Sequence, residues 1–346
     1  MGQMELSLFE HIKKLVVSQD LMIEDIDHIF EVMVSGEANL VQVSALLSLL
    51  HQKEETADEI FGFARAMRRK SVKIKPKTKL PLIDTCGTGG DGLNTFNVST
   101  TSMFILAGAG IPVAKHGNRG ITSKSGSSDL LSELGIKIDR PPEKVCECIE
   151  KNGIGFMFAP LYHPAMKHIM PVRRNLPFRT IFNVLGPLTN PACASRQVLG
   201  VFHPDLVCLM SEALAKLGSD RAMVFTGHIP ETGSFMDEIS IFGETRIAEL
   251  RDGKIKRYTV HAKELGFTQY RLSDIKGSTP KENAEVAVRI LSGEHEGALK
   301  DIVKLNAAAG LYLYDFVSDI KSGLDYAEEI IQSGKALKVL DDWKTF

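Results

Sequence analysis

From residue 7 to residue 70 the apolar positions recur at helical spacing, and no stretch reads as a strand. Leu8, Ile12 and Leu15 mark one face; Ile23, Ile26, Phe30 and Met33 mark another. NLVQVSALLSLLHQK and TADEIFGFARAMRRK follow after polar breaks, so the region is expected to form four short helices. Next comes SVKIKPKTKLP, whose alternating lysines and two prolines suit an extended, solvated linker better than a binding patch. From Pro81 the pattern changes. PLIDTC, IPVAKHG, GIGFMFA, QVLGVFH and RAMVFTG read as strands. Among them STTSMFILAGAG, SSDLLSELG and PDLVCLMSEALAKLG read as helices, with Ser99 or Thr100 near the N-cap of the first. This alternation predicts a mainly parallel sheet covered on both faces. ISIFGETRIAELRDGKIKRYTV then reads as antiparallel strands turned at Asp252-Gly253. The tail, TPKENAEVAVRILSGE, KDIVKLNAAAGLYLY and GLDYAEEIIQSGKAL, returns to helices. Residues 164–192 interrupt the rhythm. Their prolines limit them to short helices, expected to pack back on the N-terminal ones. The expected fold class is therefore α/β. A small all-helical domain spans 1–74, joined by part of 164–192. A large α/β domain with a mainly parallel central sheet covered by helices spans 80–346.

Composition narrows the function. With 346 residues, 44% of them hydrophobic, the chain can bury a sizeable core. A net charge of −2 supplies no basic field, so no nucleic-acid partner is expected. Five cysteines at irregular spacing read as free thiols in a reducing compartment; Cys146 and Cys148 lie in the helix-like PPEKVCECIEKNG with no second pair for zinc. The N-terminus carries acids among its apolar residues and is no signal peptide, and Leu6 stands where a myristoylation signal wants Ser or Thr. The run Met103 to Ala114 is too short and glycine-rich to span a bilayer. A soluble, cytoplasmic protein with no membrane partner is expected.

The candidate chemistry begins at DTCGTGGDG, Asp84 to Gly92. Gly87, Gly89 and Gly92 spell G-x-G-x-x-G, but two features exclude a dinucleotide turn. The helix starts too late, near Ser99, and the second strand ends in Lys115-His116 where an acid belongs. A Walker loop is excluded because no Gly-Lys-Ser/Thr follows. Gly87, Gly89 and Gly90 still let backbone N–H groups approach an anion, and Asn97, Ser99 and Thr100 stand at a helix N-terminus that favours phosphate. KHGNRGITSKSGSSD supplies a second loop, with Lys115, Asn118, Arg119, Ser123 and Ser127. Alone, the first turn is as well explained by ordinary strand-to-helix geometry. Together the loops point to a ligand with two separated phosphate groups. Asp237-Glu238, abutting the strand-like ISIFG, then become candidate ligands for Mg²⁺, which bridges phosphates through oxygen donors.

These motifs, with YHPAMKHIMPVRR and RTIFNVLGPLTNPA, closely resemble the bacterial anthranilate phosphoribosyltransferase family of tryptophan biosynthesis, over nearly the whole length. The resemblance implies a homodimer with its active site between a helical and an α/β domain. It implies transfer of phosphoribose from 5-phosphoribosyl-1-pyrophosphate to the amine of anthranilate, with Mg²⁺. Gly87, Gly90, Asp91, Thr95, Asn97, Val98, Ser99, Thr100, Lys115 and the second loop would hold the phosphoribosyl donor. That loop comprises His116, Gly117, Asn118, Arg119, Gly120, Ile121, Thr122, Ser123 and Ser127. Ser99, Asp237 and Glu238 would bind magnesium, and Lys115, Asp237 and Glu238 would carry the catalysis. Gly87, His116, Asn118, His163 and Arg173 would line the anthranilate path, with Arg173 facing its carboxylate and Pro187 walling the pocket.

Plainer roles compete. Arg173 and Arg174 could be salt-bridged helix residues, the favoured reading for Arg174; His116 and His163 could be packed or capping residues; His203 and His228 read as structural. Two departures from the family pattern stand out. Tyr162 replaces a frequent histidine, which places it at the pocket edge. FTGHIPETGSFMDE is longer than the family's usual loop and puts Phe235-Met236 before the acids. Pyrimidine nucleoside phosphorylase and a non-catalytic nucleic-acid-binding homologue are the alternative functions.

Overall fold

The computed structural model describes residues 6–120 and 124–346. Helices α1 (Phe9–Val16), α2 (Ile23–Val34), α3 (Leu40–Lys53) and α4 (Ala57–Lys70) come first. Local sequence sets their starts: Asn39 accepts the Val41 and Gln42 N–H groups, and Thr56 with Glu59 closes a capping box. Ile26, Phe30, Leu46, Leu50, Ile60 and Phe63 close a core that also holds Ile169, Val172, Ile181, Phe182 and Leu185. Each such side chain stabilises the packing by about 1.5–3 kcal/mol relative to exposure. Residues 71–82 then cross in extended form. Val72 donates to the Tyr162 carbonyl and Ile74 to that of Pro191, while Lys73, Lys75, Lys77 and Lys79 stay exposed.

The α/β part runs β1 (Ile83–Gly87), α5 (Val98–Gly108), β2 (Val113–Gly117), α6 (Ser127–Glu133), α7 (Pro142–Asn152) and β3 (Ile154–Phe158). Short helices α8 (Ala159–Tyr162), α9 (Met170–Asn175) and α10 (Phe182–Leu185) lead to β4 (Arg196–Gly200), α11 (Asp205–Lys216) and β5 (Arg221–Ile229). The hairpin strand β6 (Ser234–Met236) precedes β7 (Glu244–Arg251) and β8 (Lys254–His261). Helices α12 (Pro280–Leu291), α13 (Ala298–Leu313), α14 (Ile320–Gln332) and α15 (Lys335–Thr345) close the chain. The sheet order is β3-β2-β1-β4-β5-β7-β8, with β6 paired to β5. Strands β3 to β5 in that order are parallel, and β7 and β8 are antiparallel. Alternation sends Ile83, Val198 and Met223 toward the core of α5 and the C-terminal helices, and Cys86, Leu199 and Val224 toward the helical layer. From β1 the chain winds one way to β2 and β3, and then returns to β4 on β1's other side. The strand order therefore reverses between β1 and β4, and ligands of such sheets bind outside the C-terminal ends at that reversal.

The expected α/β class, helical N-terminal layer and mostly parallel sheet are present. Asn97 holds the N-cap position of α5, with Ser99 and Thr100 in its first turn, near the cap as expected. Two local expectations are corrected. ISIFG is no strand: the Ser240 hydroxyl accepts from Phe242 and Gly243 and donates to the His228 carbonyl, a local turn that displaces a ladder. The last predicted helix is two, split at Gly334, whose φ of +72° a helix does not accommodate.

Candidate active site

The acid pair sits on the strand reversal because three glycines leave room for it. A Cβ on Gly200 would lie 1.6 Å from the Asp237 carbonyl oxygen, one on Gly227 would lie 2.4 Å from that of Glu238, and one on Gly87 would meet the Asp237 carboxylate at 2.1 Å. Any side chain at these points of β1, β4 and β5 would push the acids off the sheet. The lengthened 226–236 loop is the β5–β6 hairpin. It registers Gly227 against Met236 and buries Met236, so the residue before the acids is anchored in the core.

Asp237 Oδ2 accepts the Gly89 N–H at 2.7 Å. Burial, and then the neighbouring Asp91 charge, push the Asp237 pKa up to about 7. Glu238 is 7% exposed, and burial followed by the Asp237 charge drives its pKa well up; Lys115 and the Ser99 backbone N–H at the start of α5 oppose the rise. Asp91 holds the Leu93 N–H with one oxygen, while its other oxygen is buried without a partner. Lys115 is 2% exposed, donates to the Thr85 carbonyl and lies 3.4 Å from the Ser99 hydroxyl. Burial lowers its pKa, and Asp84, Cys86 and Glu238 counter that. Asp84 and Glu238 thus face one buried ammonium at a helix N-terminus, and Asp237 and Asp91 crowd Glu238 in turn.

The two glycine loops meet through Asn97. Its amide donates to the Ser125 carbonyl at 3.0 Å, and its oxygen accepts from the Ser125 hydroxyl and from Asn283 Nδ2, each at 3.0 Å. That is why Asn97 does not cap α5 with its side chain: the side chain ties the first loop to the second. Gly89 and Gly90, with φ of +65° and +81°, turn the first loop. Asp129 Oδ2 shapes the second by accepting the Gly120 and Gly126 N–H groups at 2.9 Å each. Ser127 Oγ donates to the Asn118 carbonyl, and Arg119 lies over the Phe158 ring at the end of β3. Gly117 ends β2 beside this loop. Thr95 bridges to Lys276; Val98 and Thr100 are buried in the first turn of α5. Ile121, Thr122 and Ser123 lie outside the described residues.

On the opposite side of Lys115, the His116 and His163 rings lie 5.0 Å apart. His116 Nδ1 is 3.3 Å from the Gly186 carbonyl, and the Thr189 carbonyl lies beside His163. Both Nε2 atoms are buried with no partner. Burial lowers His116 to about 3 and His163 to about 4, so both are neutral at pH 7. Pro187 occupies the same turn, its carbonyl accepting from Gln197. Arg173 on α9 is half-buried, 3.5 Å from the Phe182 carbonyl and over its ring, with no acidic partner among the described residues. Burial alone lowers its pKa. The salt-bridge reading of Arg173 is therefore corrected, and it applies no better to Arg174, which is exposed without an ion pair among the described residues. Tyr162 is fully buried beside Ile74, Ala114 and Val145.

Sequence reasoning missed several residues that position this site. Asn190 donates to the buried Asp84 carboxylate at 2.7 Å and to the Ala114 carbonyl at 2.8 Å. Asn306 accepts the Ile239 N–H at 3.1 Å, directly behind the acid pair. Asn283 reaches Asn97, and Arg179 reaches the Gly90 carbonyl. A single polar residue inside the apolar run of LNAAAGLYL was a readable signal for Asn306. Arg179 carried none, because its partner is a backbone oxygen 89 residues away.

The glycosyl transferase family helical bundle domain matches residues 9–71, and the glycosyl transferase family a/b domain matches residues 79–337. Over 338 residues the chain is 48% identical to the anthranilate phosphoribosyltransferase of Methanosarcina acetivorans, covering 97% of this chain and 89% of that protein. To that of Acetivibrio thermocellus it is 46% identical, with 97% and 95% covered. The crystal structure of the Thermus thermophilus anthranilate phosphoribosyltransferase superposes with a TM-score of 0.88 at 41% identity, covering 96% of this chain and 98% of that one. The Saccharomyces cerevisiae enzyme in complex with PRPP and Mg also gives 0.88, at 30% identity, with 98% and 99% covered.

Proposed function

The chain belongs to the anthranilate phosphoribosyltransferase family, and we propose that the site at the β1/β4 reversal carries the family's reaction. It transfers the phosphoribosyl group of 5-phosphoribosyl-1-pyrophosphate to the amine of anthranilate, releasing pyrophosphate, in tryptophan biosynthesis. The observation that carries this placement is the Asn97 tie, which holds two anion-binding loops beside the buried acid pair. The glycine turn and the Lys115 ammonium would oppose the charge that develops on leaving pyrophosphate as the C1–O bond breaks. The aromatic amine is neutral at pH 7, so the protein's remaining task is to hold it in line with C1. With Nδ1 turned to the Gly186 carbonyl, the neutral His116 ring presents an accepting Nε2 to the amine hydrogens. Arg173, whose guanidinium has no acidic partner among the described residues, suits the anthranilate carboxylate through a bidentate pair.

The residues present fit Mg²⁺. Asp91, Asp237 and Glu238 crowd negative charge, and Asp91 keeps an oxygen without a partner. No cluster of three or more acids, histidines or cysteines closes around one ion among the described residues. Mg²⁺ typically takes one or two carboxylates and completes its shell with phosphate oxygens and water. Asp237, Glu238 and the Ser99 hydroxyl would hold it, and when bound it neutralises charge on the pyrophosphate. A homodimer joined through the helical layer is supported by exposed apolar side chains, Phe9, Val16, Val17, Met22, Leu40 and Val41, on α1, its following turn and α3. A cytoplasmic location is supported by five free cysteines.

Anthranilate fluorescence tests the reading. It should fall only when donor and Mg²⁺ are both supplied, and Asp237→Ala with Glu238→Ala should slow the fall by roughly a hundredfold or more. Unchanged rates in that double variant would overturn the assignment of the acid pair.

A further inference from the structure

Residues 178 and 179 face opposite ways. The Phe178 ring stacks on His51 of α3, with centroids 5.0 Å apart and planes 14° from parallel. The next side chain, Arg179, leaves the helical layer and crosses to the glycine turn of β1. Its guanidinium lies 4.0 Å over the Phe202 ring, and Nη2 donates to the Gly90 carbonyl. Phe202 is itself fixed to the turn, its N–H donating to Thr88 Oγ1 at 3.1 Å. The arginine is exposed and has no acidic partner among the described residues.

A guanidinium has five donors in a rigid fork. The Gly90 carbonyl engages one edge and Phe202 takes one face, which leaves donors on the fork without an acid to receive them. They stand at the rim of the turn made by the left-handed glycines Gly89 and Gly90, where the Gly89 N–H already holds an anionic oxygen, that of the Asp237 carboxylate, at 2.7 Å. Around that turn stand the carboxylates Asp91, Asp237 and Glu238, with the buried Lys115 ammonium beside Glu238 and Lys276 Nζ donating to the Leu93 carbonyl at 2.7 Å.

On the reading of the site given above, we propose that Arg179 is a further donor-binding residue: its guanidinium contacts the pyrophosphate group while bracing the Gly90 carbonyl. Because its neighbour Phe178 docks on α3, the same contact couples the helical layer to donor occupancy.

The test measures binding of inorganic pyrophosphate with Mg²⁺ by calorimetry, and donor and anthranilate KM values, for the wild type, Arg179→Lys and Arg179→Gln. Glutamine can still donate to a carbonyl but carries no charge; lysine keeps the charge. Arg179→Gln should weaken pyrophosphate binding and raise the donor KM by about tenfold or more, with the anthranilate KM unchanged, and Arg179→Lys should recover most of the loss. Wild-type pyrophosphate affinity in Arg179→Gln, or equal losses in both variants, would reduce Arg179 to a prop for the turn and overturn the proposal. If the wild type neither binds pyrophosphate nor consumes anthranilate, the reading of the site fails first, a result distinct from these.

Discussion

At the scale of single residues, the site is governed by what burial does to charge. His116 and His163 have folded-state pKa values near 3 and 4, below the ordinary 6.5. Above pH 6.5 both are neutral in the folded and the unfolded chain, and their contribution to stability is complete. As pH falls from 6.5 toward 4, the unfolded chain takes up protons that the folded chain refuses, so stability is lost across that window. Urea unfolding of the wild type and His116→Gln at a series of pH values should show it. Between pH 6 and pH 4 the wild type should lose up to about 1.4 kcal/mol more per pH unit than the variant. Parallel curves would mean that His116 is not held neutral. Lys115 and Asp84 follow the same logic with opposite charges: burial lowers one and raises the other to about 6, and each moderates its partner's shift.

At the scale of elements, the acid pair depends on strands that stop being side-chain-bearing where it passes. Gly200→Ala places a methyl group 1.6 Å from the Asp237 carbonyl in the present geometry, so the backbone of the pair must move. The variant should lose about 1–3 kcal/mol of stability by chemical denaturation. Its turnover should fall at least about tenfold, since misplacing a catalytic group by 1 Å costs up to about a hundredfold. Full turnover with full stability would show that the pair tolerates displacement. The sequence makes most strands and helices and the Asp252-Gly253 turn legible, because each follows a local period or a local turn preference, while ISIFG and the break at Gly334 escape it. The purpose of Gly200 and Gly227 is not legible, because the atom each avoids belongs to residues 237 and 238, brought there by the β5–β6 hairpin. Asn97 is a related case. Its position at a helix start is local and readable, whereas its commitment to Ser125 and Asn283 is tertiary and overrides the expected cap.

At the scale of the whole molecule, two layers share one site. The helical layer and residues 164–192 form a common core, and that segment, with His163 just before it, delivers Arg173, Arg179 and Pro187 toward the sheet. The sheet delivers Gly87, Lys115, His116 and the acid pair at its order reversal. The motifs pointed to both groups, because anion-binding turns and buried cations have recognisable composition. The division of labour between layers was hidden, since it depends on which face of the sheet the proline-interrupted segment covers. The central claim is that both glycine loops and the acid pair grip one diphosphorylated sugar. A crystal soaked with 5-phosphoribosyl-1-pyrophosphate and Mg²⁺ tests it most directly. The account predicts the ligand spanning the turn at Gly89 and the loop at Asn118, with the metal beside Asp237 or Glu238; a donor bound elsewhere, or touching only one of those loops, would contradict it.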